Sequence, residues 1–247
     1  MSAPANDPNG RPPHILAVET SGLCGSVAIV SSERCLAEES LSSRLTHSRR
    51  LLGAIERIMA ECELGWPDLD AIAIGLGPGS FTGLRIGLAT VKGLALATTL
   101  PLIGISSLDG LASQFRYVTL PLFPVFDARK GEVYTACFLP AADGGMNRRG
   151  DYLVVPPHEL CGRITEPVLF AGDGVAAYGG LFRELLGERA VLAPEQLYFP
   201  RAAAIGFLAL ARWRARDFLD PARCAPLYVR ASEAEINLGL ARSAGSM

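Results

Sequence analysis

The strongest constraint on what this chain can fold into is an order of segments that its sequence runs through twice. Residues 14–30 (HILAVETSGLCGSVAIV) hold two β-rich runs joined by a Gly/Ser stretch, a hairpin signal, and residues 34–41 extend it with a third strand. Ser48 is placed to cap a helix on which Leu51, Leu52, Ile55, Ile58 and Cys62 follow helical spacing, and Gly65 with Pro67 ends it. Residues 70–75 (DAIAIG) make a short apolar strand, and GLGPGSFTGLRIGLATVKGLALATTL then reads as a glycine-rich turn opening into a long helix.

The second half repeats this order more faintly. Residues 120–127 (LPLFPVFD) and 132–138 (EVYTACF) flank a turn, and the first of these strands ends on an acidic residue as the first hairpin does, so Glu19 and Asp127 are counterparts. Residues 168–172 run into Gly172-Asp173-Gly174 and the helical pattern VAAYGGLFRELL. Residues 141–150 (AADGGMNRRG) read as a mobile loop, and residues 201–218 as a closing helix with Ile205, Leu208 and Ala209 on one face and arginines opposite. Parallel strands covered by helices and duplicated in sequence place the chain in the α/β class. The expected organisation is a tail (1–13), an N-terminal lobe (14–110) and a C-terminal lobe (111–247), each of βββαβα type, with a cleft between them. An acidic strand end, a hairpin, a glycine turn and a helix in that order resemble the actin, Hsp70 and sugar-kinase (ASKHA) superfamily.

Composition removes several function classes. The 247 residues carry 23 Lys and Arg against 25 Asp and Glu, a net charge of -2, so no chain-wide positive field is available to hold a polyanion unaided. The six cysteines include no CxxC pair and read as reduced thiols. The tail carries Pro4, Pro8, Pro12 and Pro13 without an apolar h-region, and Arg85, Lys92 and Pro101 interrupt the most apolar stretch. A cytoplasmic protein without a membrane span is expected. His14, His47 and His158 are isolated from one another, which argues against a histidine metal site, and no Ser-His-Asp constellation accompanies Ser31-Ser32 or Ser106-Ser107.

The segment LGPGSFTG is neither a Walker A loop, since Ser80-Phe81-Thr82 stands where Lys and Ser/Thr would meet phosphate, nor GxGxxG, since position 82 is threonine. In the helix that follows, Gly83 and Gly87 share a face continued by Thr90, Leu94 and Ala97. Interior glycine costs about 0.5–1 kcal/mol relative to alanine, so Gly83, Gly87 and Gly93 demand compensation. Packing against the Leu51 helix or docking onto a second chain could each supply it.

The stretches AVETSGLCGSVAIV, THSRRLL, GLGPGSFTGLRIGLATVKGLA, VFDARKGEVY, AGDG and PLYVR, spread over residues 14–230, together resemble the bacterial TsaB (YeaZ) family; the long glycine-rich block is the most specific of them. The resemblance implies an actin-like fold and a part in making N6-threonylcarbamoyladenosine (t6A) at position 37 of tRNAs that read codons starting with A. In such systems TsaD transfers the threonylcarbamoyl group, TsaB is the non-catalytic partner that binds and stabilises it, and the ATPase TsaE joins the pair. By that analogy the interface with TsaD, or with a second copy in a homodimer when TsaD is absent, comprises His47, Leu51, Leu52 and Ile55 on one helix and Gly83, Arg85, Gly87, Thr90 and Leu94 on the next; tRNA is met only through the complex. No catalytic residue and no metal site is implied, and the rivals are a glycoprotease-like peptidase and a small-molecule kinase or ATPase.

Weak ATP or ADP binding would involve Glu19, Asp127, Gly172, Asp173 and Gly174. The first hairpin keeps Gly22 and Gly25, but Ala128-Arg129-Lys130 fills the corresponding turn of the second, where side chains obstruct a backbone phosphate cradle. Glu19 stands where the family most often has aspartate, and its extra methylene would misplace a magnesium ligand. The plainer reading of Glu19 and Asp127 is a polar strand end bonded to turn amides.

Overall fold

A computed structural model describes residues 11–42, 47–227 and 229. The first sheet contains β1 (Ile15–Glu19), β2 (Cys24–Val30), β3 (Cys35–Ser42), β4 (Ala71–Gly75) and β5 (Leu102–Ile105) in the order β3-β2-β1-β4-β5. The second contains β6 (Leu122–Asp127), β7 (Val133–Pro140), β8 (Met146–Val155), β9 (Val168–Ala171) and β10 (Ala190–Leu192) in the order β10-β9-β6-β7-β8. Replacing each strand of the first sheet by its counterpart in the second reproduces the same order. In both, the first three strands are antiparallel and the last two join parallel to the first. This is the actin-like arrangement implied by the repeated sequence plan.

The central strand of the first sheet is apolar without alternation because both its faces are covered. Leu16 and Val18 lie in a cluster with α1 (His47–Glu61) and α2 (Phe81–Thr98), through Ile55, Ile58 and Val91. Ile15 and Ala17 face the opposite way, onto Ile205 and Ala209 of α6 (Ala202–Arg214). The last described helix therefore returns to cover the first sheet. The short α3 (Ser107–Ala112), which follows the first sheet in sequence, instead buries Leu108 and Leu111 against Phe126 and Phe138 of the second. The outer face of that second sheet packs on α4 (Pro157–Gly162) and α5 (Gly174–Leu186), where the rings of Phe170 and Phe182 stack with centroids 4.3 Å apart.

Residues 141–150 are not the mobile loop their composition suggested. Ala141 N–H donates to the Gly145 carbonyl at 2.9 Å, closing a tight turn between β7 and β8, and Tyr117 N–H holds the tip through the Gly144 carbonyl at 2.7 Å. The glycines there serve the turn, and residues from Met146 onward belong to an edge strand. All six cysteines are free thiols, and among the described residues no helix is long and apolar enough to cross a membrane.

Because Ile205 is fully buried between α6 and the first sheet, Ile205→Ala is expected to cost about 2–5 kcal/mol, read as a lower urea midpoint at unchanged slope. A loss near zero would mean that this helix does not cover the first sheet in solution.

Candidate functional site

Three places hold the residues singled out from sequence: the end of β1, the cleft between the sheets, and the helices on the outer face of the first sheet.

At the end of β1 the Glu19 carboxylate is fully buried. Ser21 N–H donates to Oε1 at 2.5 Å and the Ser107 hydroxyl to Oε2 at 2.7 Å. Ser107 Oγ in turn accepts from Gly77 N–H at 3.1 Å. A single side chain thus ties β1 to the glycine-rich turn before α2 and to the first turn of α3. Burial pushes the Glu19 carboxyl above its ordinary range, opposed by the hydrogen bonds from Ser21, Ser107 and Thr20. Glu19 does not line the cleft, so its assignment to a nucleotide is corrected: it is a strand end bonded to a turn amide, sealed behind the site.

The cleft, of about 540 Å³, lies between the turns after β1 and before α2 on one side and those after β6 and β9 on the other. Asp127 reaches it from the end of β6. Arg129 closes back on Asp127, donating N–H to Oδ1 at 2.8 Å and Nη1–H to Oδ2 at 3.1 Å. Arg129 and Lys130 both adopt left-handed backbone, with φ of 60° and 53°, a conformation costly for residues with a Cβ. Asp173 Oδ1 accepts from Asp127 N–H at 3.1 Å, and its carboxyl is pushed up by burial and further by the neighbouring Asp127 charge. Gly172 and Gly174 are pressed onto β6: a Cβ at Gly172, whose φ is 118°, would stand 2.2 Å from the Val125 carbonyl oxygen. Their smallness serves contact between the turn and the strand, not an open cradle for phosphate. The carboxylates of Asp127, Asp173 and Glu195 line the cleft, and the one cation among its lining residues, Arg129, is already ion-paired. Its walls also carry Phe81, Tyr134, Tyr198 and Phe199. Such a cavity suits a neutral ring system better than a triphosphate.

On the outer helices the expected interface divides. Leu51 and Ile55 of α1 are buried in the core, whereas Leu52 is exposed. His47 lies at the start of α1, and its side chain is outside the described residues. Gly83 and Gly87 are buried, and their missing side chains are used within the chain: a Cβ would stand 2.1 Å from the Thr20 carbonyl oxygen at Gly83 and 2.2 Å from Thr20 Oγ1 at Gly87. This corrects the placement of these two glycines on a free flank. Thr90 and Leu94 are half-buried; the Thr90 hydroxyl donates to the Ile86 carbonyl at 2.9 Å and Leu94 packs on the core.

Arg85 does face outward, its guanidinium 3.8 Å from the centroid of the Phe81 ring. The exposed arc of α2 runs through Phe81, Arg85, Ala89, Gly93 and Leu96, with Thr82 and Ala97 also exposed, and Phe81 is 53% and Leu96 72% exposed. Nothing stands within 4 Å of a Cβ placed at Gly93. Of this arc, sequence reasoning placed only Arg85 among the interface residues, and named Gly93 only as a helix glycine in need of compensation. A helical projection could have found the rest, since these residues share the side away from the buried face formed by Gly83, Leu84, Gly87, Leu88, Val91 and Ala95.

Comparisons with known proteins bear on this arrangement. Residues 35–238 match the family profile described as "TsaD: tRNA N6-adenosine threonylcarbamoyltransferase". The tRNA threonylcarbamoyladenosine biosynthesis protein TsaB of Bacillus subtilis is 29% identical over 229 residues, covering 90% of this chain and 96% of its own. The protein of the same name from Escherichia coli K12 is 32% identical over 188 residues, covering 73% and 81%. The solved structure titled "YeaZ from Pseudomonas aeruginosa" superposes with a TM-score of 0.74 at 29% identity, covering 87% of this chain and 99% of that one.

The buried Glu19 gives a pH signature. Its contribution to stability is complete below pH 4.5, its ordinary value, and is lost as pH rises through its higher folded value. Stability measured by urea unfolding is therefore expected to fall with rising pH across this window in the parent chain relative to Glu19→Gln. Identical pH slopes in the two would contradict a sealed carboxylate.

Proposed function

This chain belongs to the TsaB (YeaZ) family, and from that premise we propose that it serves t6A formation in tRNA as a non-catalytic scaffold that binds and stabilises TsaD and assembles with TsaE. The observation that carries the reading is the outward arc of α2. Phe81, Ala89, Gly93 and Leu96 present apolar and small groups to solvent, with Arg85 lying over the Phe81 ring, an exposed and mainly apolar strip of the kind that marks a docking surface. The arc fits a helix of a partner at close approach, because Ala89 and Gly93 leave its middle flat. A second copy of the chain would use the same strip when TsaD is absent. The tRNA then meets this subunit only through the complex, and the cytoplasm is the compartment this role assigns.

A scaffold role also agrees with the condition of the acidic groups. Glu19 is sealed, Asp127 is held by Arg129, and Asp173 is bonded to the Asp127 amide. None is presented in the way a general base or a phosphate-bound magnesium would require. These commitments weigh against the peptidase and kinase readings.

The docking reading is tested by paired substitutions. Ala89→Arg, on the exposed arc, is expected to leave stability within about 0.5 kcal/mol and abolish co-purification with TsaD. Gly87→Leu, which collides with Thr20, is expected to cost about 1–3 kcal/mol in unfolding experiments instead. Full retention of TsaD by the Ala89→Arg chain would overturn the assigned face.

Weak nucleotide binding is a second reading, favoured by the volume and aromatic walls of the cleft. Its carboxylates oppose phosphate, so in titrations followed by calorimetry adenosine is expected to bind at least as well as ATP. A clear preference for ATP would speak for a phosphate site that the described side chains do not provide.

A further inference from the structure

A second concave surface shares no lining residue with the cleft and none with α1 or α2. It follows α6 on the side not covered by the first sheet. Two hollows of about 280 and 880 Å³ share Ser113 and Leu208 in their walls, so one groove runs along the helix with those two side chains at its waist. Four arginines from separate elements line it: Arg116 after α3, Arg148 on β8, and Arg201 and Arg212 at the two ends of α6. The floor between them is apolar, with Leu197 and Phe207 exposed beside Leu208.

The four arginines are held from within the chain, and Arg201 reaches solvent over an acid that does not. Glu38 forms an ion pair with Arg201 and accepts from Ala203 N–H at 3.0 Å, while its side chain is only 7% exposed. Asp109 accepts from the Tyr152 hydroxyl at 2.8 Å and lies 3.8 Å from Arg148 Nε. Arg212 has Asp217 at 3.7 Å, and Arg116 donates to the Asp143 carbonyl at 2.9 Å. The guanidinium groups are thus steadied by internal partners, Arg148 also by the Gly150 carbonyl and the Tyr152 ring and Arg116 also by the Tyr117 ring, and still meet solvent, with Arg201 62% exposed and Arg212 44% exposed beside an Asp217 that is 61% exposed. Steadied arginines lose little side-chain freedom on binding a carboxylate.

We propose that this groove docks an extended acidic and apolar peptide segment of a partner protein, with carboxylates on the arginines and aliphatic side chains on Phe207 and Leu208. The eleven-residue step from Arg201 to Arg212 corresponds to roughly 16 Å of helix, which about five residues of extended peptide span. A nucleic-acid strand fits less well. Successive bases need successive ring faces, and Phe207 is the one exposed ring lining either hollow.

The test uses the full chain and a fluorescein-labelled peptide of alternating glutamate and leucine, followed by anisotropy. Arg116→Gln and Arg212→Gln are the variants of choice, because both side chains are exposed and neither supports Glu38; circular dichroism and thermal melting check the fold. The parent chain is expected to bind the peptide, each variant to weaken it about five- to tenfold, and the two together more. Glutamine–leucine and glutamate–serine peptides are each expected to bind about tenfold more weakly than the parent peptide. Ala89→Arg is expected to leave this binding unchanged, which separates the groove from the TsaD-facing strip. Absence of peptide binding, equal binding by the arginine variants, or displacement by a single-stranded oligouridylate more readily than by unlabelled peptide would each overturn the proposal.

Discussion

One buried carboxylate organises the centre of this molecule. Glu19 sits where β1, the turn leading into α2 and the start of α3 converge, and it accepts from Ser21 and from Ser107, whose oxygen also accepts from Gly77. An acid taken wholly out of water is costly unless its oxygens are satisfied, so each of the three segments must hold its place for the others to hold theirs. Since α3 leads into the second sheet while the turn leads into α2, this knot fixes how the two sheets and the outer helix face are placed relative to one another.

The two acidic strand ends have diverged within one plan. Glu19 has withdrawn into the protein, whereas Asp127 remains at the cleft and is answered by Arg129 on the following turn. Both sheets keep the same strand order, so the difference is one of side chains and not of topology. Where a nucleotide-using relative of this fold needs backbone amides open to phosphate, this chain has a left-handed Arg-Lys pair in one turn and glycines pressed against β6 in the other. The proposed docking surfaces lie elsewhere, on the exposed arc of α2 and in the arginine-lined groove along α6.

The glycine-rich helix shows how far sequence could go. Gly83 and Gly87 were legible as residues that must touch something closely, and that is correct, but their spacing says nothing about whether the neighbour belongs to the same chain. Contact with Thr20 within the chain settles it. The free arc lies about a third of a turn or more away, on Phe81, Arg85, Ala89, Gly93 and Leu96. In the same way, residues 141–150 looked mobile because glycine and polar residues suit loops and tight turns alike; only the cross-strand partners on β7 distinguish the two.

What the sequence determined by itself was the repeated order of hairpin, strand, glycine turn and helix, the acids at corresponding strand ends, and through its long glycine-rich block the family. These are local or periodic properties, and local chemistry writes them directly into residue types. The tertiary structure alone decided that α6 folds back over the first sheet, that Glu19 is sealed while Asp127 is not, and which side of α2 meets solvent. Each of those depends on contacts between segments far apart in the chain, and burial of one helix face or one carboxylate is set by whatever those distant segments bring against it.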